Sequence, residues 1–138
     1  MNMRRSAFTL IELVVVVAII GLLATGVMVG VDYVRTRARD SKRVADAATL
    51  QRSLGLYLAN KGIFPVSAGQ CVTGSDSVSN ALLAEKVISG LTGDPRYPST
   101  DPQCYWYQSD PTGSTYIFRY TLELDSGAGS QGPHELIP

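Results

Sequence analysis

The sequence predicts an α+β protein. A long N-terminal helical spine, apolar in its first half, carries a small antiparallel β-sheet head on its second half. Three observations predict it. Residues 8–31 form one continuous apolar run. From Asp32 to Asn60, apolar side chains return at three- and four-residue spacing with no proline between them. Near the C-terminus two segments of strand composition flank Asp110-Pro111-Thr112-Gly113, a strong hairpin signal.

The first element follows a short basic leader, MNMRRSA, residues 1–7. Residues 8–31 read FTLIELVVVVAIIGLLATGVMVGV, which is 24 residues with Glu12 as the only ionisable side chain. As a helix this run is about 36 Å long, enough to cross the hydrocarbon core of a bilayer. A carboxylate in that setting costs several kcal/mol unless it meets a partner, so Glu12 is a candidate functional group. The alternative is an ordinary membrane anchor whose Glu12 snorkels to the nearby interface. Gly26 and Gly30 form a G-x-x-x-G pair, a spacing that lets apolar helices approach closely but is also common small-residue content in membrane segments.

The string Ala7-Phe8-Thr9-Leu10-Ile11-Glu12-Leu13 resembles the processing site of type IV pilins and type II secretion pseudopilins. The similarity runs through Ala18–Ala24 into Ala38–Pro65, about half the chain. The resemblance implies a prepilin peptidase that cuts between Ala7 and Phe8 and methylates the new amino group of Phe8. It also implies that Glu12 pairs with the Phe8 amine of a neighbouring subunit, and that the fold is a type IV pilin-like spine and head. Its partners would be further copies of the chain in a helical homopolymer, the peptidase, a pilus or secretion assembly platform, and membrane lipid before assembly. Ala7 stands where Gly is usual, and Val29 where many members kink the helix with Pro.

The second half of the spine, residues 32–60, presents Val44, Ala47, Leu50 or Gln51, Leu54 and Leu58 as its apolar stripe. Asn60, Gly62 and Pro65 are stop signals, so residues 8–60 are expected as one helix near 80 Å long. Residues 61–138 make the head, too small to bury an adequate core alone and so expected to lean on the spine. Within it, Val66–Asp76 reads as loop. Ser79–Leu91 reads as a short helix with Leu83, Val87 and Leu91 aligned, and residues 104–124 as a hairpin. In the hairpin's second strand Tyr116, Phe118, Tyr120, Leu122 and Leu124 share the inward face. The tail from Ser126 reads as loop, with room for a closing edge strand.

Cys71 and Cys104 are the only cysteines. An even pair outside the membrane suggests a disulfide, with two buried free thiols as the alternative. After the span come Arg35, Arg37, Arg39, Lys42 and Arg43, against Arg4 and Arg5 before it. Lysine and arginine counts alone would keep the C-terminal side in the cytoplasm. The resemblance and the cysteine pair place the head outside, as a single-pass cytoplasmic membrane protein before assembly and an extracellular filament afterwards. The basic residues alternate with Asp32, Asp40 and Asp46 and are expected to pair between subunits or meet lipid headgroups.

Formal net charge is zero, which does not call for nucleic acid as a partner, although the arginine-rich face leaves DNA uptake open as a minor reading. Enzyme chemistry is not expected. Gly127-x-Gly129-x-x-Gly132 is followed by Pro133 and only a few residues more, so no βαβ unit can form on it and it reads as flexible tail. His134, the sole histidine, is expected to be solvated in that tail. No cofactor and no metal is expected. Asp94, Asp101 and Asp110 could contribute to a calcium site, as in some major pseudopilins, but lack regular ligand spacing and read better as turn formers.

The expected role is a structural filament subunit, a type IV pilin or a pseudopilin of a secretion or DNA-uptake machine. A signal peptidase site at Ala24-Thr25-Gly26 would instead release a secreted domain, and an uncleaved span would make an anchored binding module.

Overall fold

A computed structural model describes residues 8–99 and 102–138, with the side chains at 27–29 left out. The leader with Ala7, the side chain of Val29, and Asp101 lie outside the described residues. The chain divides into two compact units, Met1–Arg35 and Thr36–Pro138.

Helix α1 covers Leu10–Lys61, a single 52-residue element that runs through both units. It stops where the sequence signals a stop. Gly62 takes a φ of 76° and its N–H donates to Leu58 O at 2.7 Å, a left-handed C-terminal cap that glycine adopts without steric cost. In the first unit, every described side chain from Phe8 to Gly26 is exposed.

In the second unit α1 turns one face to a core. Ala47, Leu50 and Leu54 are buried and Val44 and Leu58 partly so, while Gln51 is exposed, so the stripe passes through Leu50. Against it packs a four-stranded antiparallel sheet in the order β1-β2-β3-β4, with β1 at Gln70–Cys71, β2 at Trp106–Ser109, β3 at Tyr116–Leu122 and β4 at Gly132–Leu136. Strand β3 alternates as its sequence dictates, with Tyr116, Phe118, Tyr120 and Leu122 buried. Rings meet edge-on or offset, as between Phe64 and Tyr116 at 4.8 Å and Tyr107 and Tyr116 at 5.8 Å.

Four details depart from the sequence expectation. The short helix α2 occupies Ser77–Ala84 rather than 79–91. It starts earlier because Asp76 caps it, accepting the N–H groups of Val78 and Ser79 at 3.0 Å. It stops earlier because Lys86 adopts a φ of 56°, donating to Leu83 O while Val87 donates to Leu82 O. Val87 and Leu91 still pack on the core, but from an irregular segment.

The hairpin strands are shorter than 104–124. The inward strand ends at Leu122 because the N–H groups of Glu123 and Leu124 turn to the carboxylate of Asp40 at 3.0–3.1 Å. The segment 66–76 is not all loop, since Gln70 and Cys71 pair with Tyr107 and Trp106. The tail closes with the edge strand the sequence leaves room for, Gly132–Leu136 on β3, but His134 stacks on Tyr120 at 5.3 Å instead of lying free in solvent.

Candidate functional site

At the start of α1, Thr9 and Glu12 cap one another. The Glu12 Oε2 accepts the Thr9 N–H at 2.8 Å and the Thr9 hydroxyl at 2.7 Å, and the Glu12 N–H approaches Thr9 Oγ1 at 3.4 Å. This is a capping box: Thr9-x-x-Glu12 satisfies helix donors that otherwise have no intrahelical partner. That Thr-x-x-Glu spacing is legible in the sequence. Among the described residues Oε1 has no hydrogen-bond partner, so the cap occupies one oxygen and leaves the other open. Beyond Thr9, the exposed apolar side chains of Phe8, Ile11, Val15 and Val16 stand beside Glu12. Gly26 and Gly30 have nothing within 4 Å of where a Cβ would stand, so the helix surface is open at those two positions. α1 is long and apolar enough to cross a membrane.

The second charged constellation lies in the head. Arg43 is almost wholly buried, 1 % exposed. Its Nε and Nη2 bind both oxygens of Asp94 at 2.6 and 2.9 Å, and its Nη1 binds Asp40 at 2.8 Å and Glu123 at 2.7 Å. Glu123 also accepts from Arg39 at 2.7 and 2.8 Å and from Arg96 at 2.7 Å. Three guanidinium groups thus balance three carboxylates, and every buried charge has partners. Arg39 holds Glu123 well below the usual carboxylate range, at about 2, against the upward push of its partial burial. Burial alone would raise Asp94, but Arg43 and the N–H groups of Arg96 and Tyr97 bring it below its ordinary value.

This cluster corrects one expectation. Arg39 and Arg43 find partners within their own chain, because Glu123, just after β3, and Asp94 reach them. Asp94 and Asp110 are the turn formers their spacing suggests: Asp94 accepts the N–H groups of Arg96 and Tyr97 besides binding Arg43, and Asp110 accepts from Thr115 N–H at 2.8 Å and from Thr112 in the hairpin. Among the described residues no group of three or more His, Cys, Asp or Glu is arranged to hold a metal. No sequence spacing announces the cluster, since its members are 3 to 84 positions apart.

Cys71 and Cys104 form a disulfide that ties β1 to the approach of β2.

A family model described as the prokaryotic N-terminal methylation motif matches residues 2–28. The type IV major pilin protein PilE of Neisseria gonorrhoeae is 35% identical over 95 residues, 66% of this chain and 56% of that protein. The type II secretion system core protein G of Aeromonas hydrophila is 33% identical over 131 residues, 92% of this chain and 88% of its own length. Its counterpart in Vibrio cholerae is 31% identical over 64 residues, 46% of this chain and 44% of that protein. The match thus spans little more than half of the gonococcal pilin but most of the Aeromonas protein. No solved structure matches. A methylation motif at the start of an exposed apolar helix, the sheet carried on that helix's second half, and a near full-length relative agree: the chain belongs to the family of type IV pilins and type II secretion pseudopilins.

Proposed function

We propose that this chain is a non-enzymatic structural subunit of a type IV pilus-like filament, cut between Ala7 and Phe8 by a prepilin peptidase, methylated on the Phe8 amine and assembled through α1. The observation that carries the reading is the exposed apolar face around a single carboxylate with one oxygen uncommitted. Subunits leaving the bilayer must pack such faces against one another. In that dry bundle an ammonium from a neighbouring Phe8 meets Glu12 Oε1 at low dielectric, while a misregistered subunit leaves both charges unpaired. The pair acts as a check on register more than as a source of stability. The open surface at Gly26 and Gly30 suits close helix approach.

The head is assigned to the outer side of the membrane. The Cys71–Cys104 disulfide supports this, because such bonds persist in oxidising compartments. The positive-inside rule opposes it, but in the folded chain Arg39 and Arg43 are neutralised within the head. The same pairing weakens the DNA-uptake reading, since those arginines are not free for phosphate.

A second reading, a pseudopilin of a type II secretion system, is favoured by the Aeromonas match across 92% of the chain. Both readings predict a mature protein beginning at methylated Phe8, measurable by intact-mass and N-terminal sequencing. A start at Val27 would indicate secretion, and at Met1 a plain anchor. Both also predict that Glu12→Val inserts normally but assembles poorly, and filaments of normal abundance from that variant would refute the pairing role. Deleting the gene separates the two: loss of surface filaments marks a pilus, loss of exported proteins a secretion machine.

A further inference from the structure

The outer side of the head carries a groove that the filament reading leaves without a role. Two adjoining hollows of about 330 and 300 Å³ share Gln103 and Thr121 and are lined by Arg43 of α1, by Tyr97, Pro102 and Gln103, and by strands β2–β4 with Gln131. Each is near the lower end of the volumes that small-molecule sites occupy.

Aromatic surface stands at both ends of the groove. Trp106 lines one hollow and is held firmly in place. The backbone at Gly69 packs so closely that a Cβ there would stand 2.6 Å from the indole ring, and the Arg119 guanidinium lies 5.8 Å from the ring centroid. Tyr97 lines the other hollow, with Arg96 5.3 Å from its ring. Between them come hydrogen-bonding groups that the fold does not use. The side-chain amides of Gln103 and Gln131 and the Thr121 hydroxyl make no hydrogen bond among the described residues, and Arg119 makes no salt bridge there.

Charge narrows the ligand. Glu123, at the groove's edge, is neutralised by three arginines, and Arg119 stands opposite Glu135 in the β3–β4 register. The groove is therefore close to neutral and offers little to a polyanion, which needs several uncompensated cations. Planar amides and a guanidinium fork present paired donors and acceptors spaced for adjacent hydroxyls, and flat aromatic surface suits C–H faces. Sugar rings combine both features.

We propose that this groove is a saccharide-binding site. It takes one or two rings of an uncharged glycan against Tyr97 and Trp106, with Gln103, Thr121, Gln131 and Arg119 bonding the hydroxyls. The site is built within the head and does not depend on assembly through α1.

Trp106 is the only tryptophan in the chain, so its emission reports on the groove directly. The full-length protein, in a sugar-free detergent, is titrated with maltotetraose, cellotetraose, chitotetraose and mannotetraose, and separately with a twelve-residue oligothymidylate. The expected result is a saturable change in Trp106 emission with at least one tetrasaccharide. Arg119→Ala and Gln103→Ala should each weaken that affinity about tenfold, with the melting temperature of the head unchanged. The proposal is overturned by any of three results: no saturable response to any of the sugars, a response that both substitutions leave intact, or a response to the oligonucleotide alone.

Discussion

Arg43 shows how one residue can be indispensable without touching any partner outside its chain. It sits in the core with four charge-assisted contacts to Asp40, Asp94 and Glu123. Taking a guanidinium out of water is costly, and the cluster repays this only because each of its three nitrogens reaches a carboxylate. Removing the cation alone therefore leaves Asp40 and Asp94 buried without a counter-charge. Arg43→Met is expected to destabilise the head by about 3–5 kcal/mol in denaturant unfolding. The double variant with Asp94→Asn should recover part of that loss. A single-variant loss under about 1 kcal/mol would mean that the cluster is a surface network and not a buried one.

Among the elements, β1 and α2 have the least support of their own. Strand β1 contributes two residues to the sheet, and α2 has eight residues between an aspartate cap and a left-handed lysine. Both belong to the long excursion between α1 and β2, whose far end is fastened by the Cys71–Cys104 bond across a sequence separation of 33. Closing a loop of that size restricts the unfolded chain and contributes about 3–4 kcal/mol in the loop-entropy account. Cys71→Ser should accordingly lower the melting temperature by more than about 10 °C, with β1 and the neighbouring Asp76 cap the first to lose amide protection. A melting temperature equal to that of the parent protein would show that the bond adds nothing.

At the scale of the whole molecule, the charged groups of the head give its stability a defined acid limit. Glu123 is held at about 2, and Asp94 and Asp76 lie below their ordinary values. Carboxylates depressed in the folded state add stability above their unfolded pKa and lose it as pH falls toward the folded one. The denaturation midpoint should thus hold steady near neutrality and fall as pH drops from about 5 toward 2. Equal midpoints at pH 7 and pH 3 would contradict this. A filament subunit has one further demand, that its apolar helix be exposed before assembly. The first unit meets it, with every described apolar side chain from Phe8 to Leu23 exposed.

The sequence by itself determined what depends on local order along the chain. The apolar run, the 3.6-residue stripe and the Gly62 stop defined α1 to within two residues at its start and one at its end, because helical periodicity repeats many times over such a length. The period-two pattern from Tyr116 to Leu122 likewise gave the face of β3. Tertiary structure decided what depends on residues far apart meeting. Asp40 halts β3 by capturing two N–H groups from more than 80 positions away, and Lys86 ends α2 in a conformation that no glycine announces. Arg39 and Arg43 become internal ties because Asp94 and Glu123 arrive from distant segments. Charge in a sequence shows what could pair, but only the fold brings the partners within the few ångströms over which the pairing energy is realised.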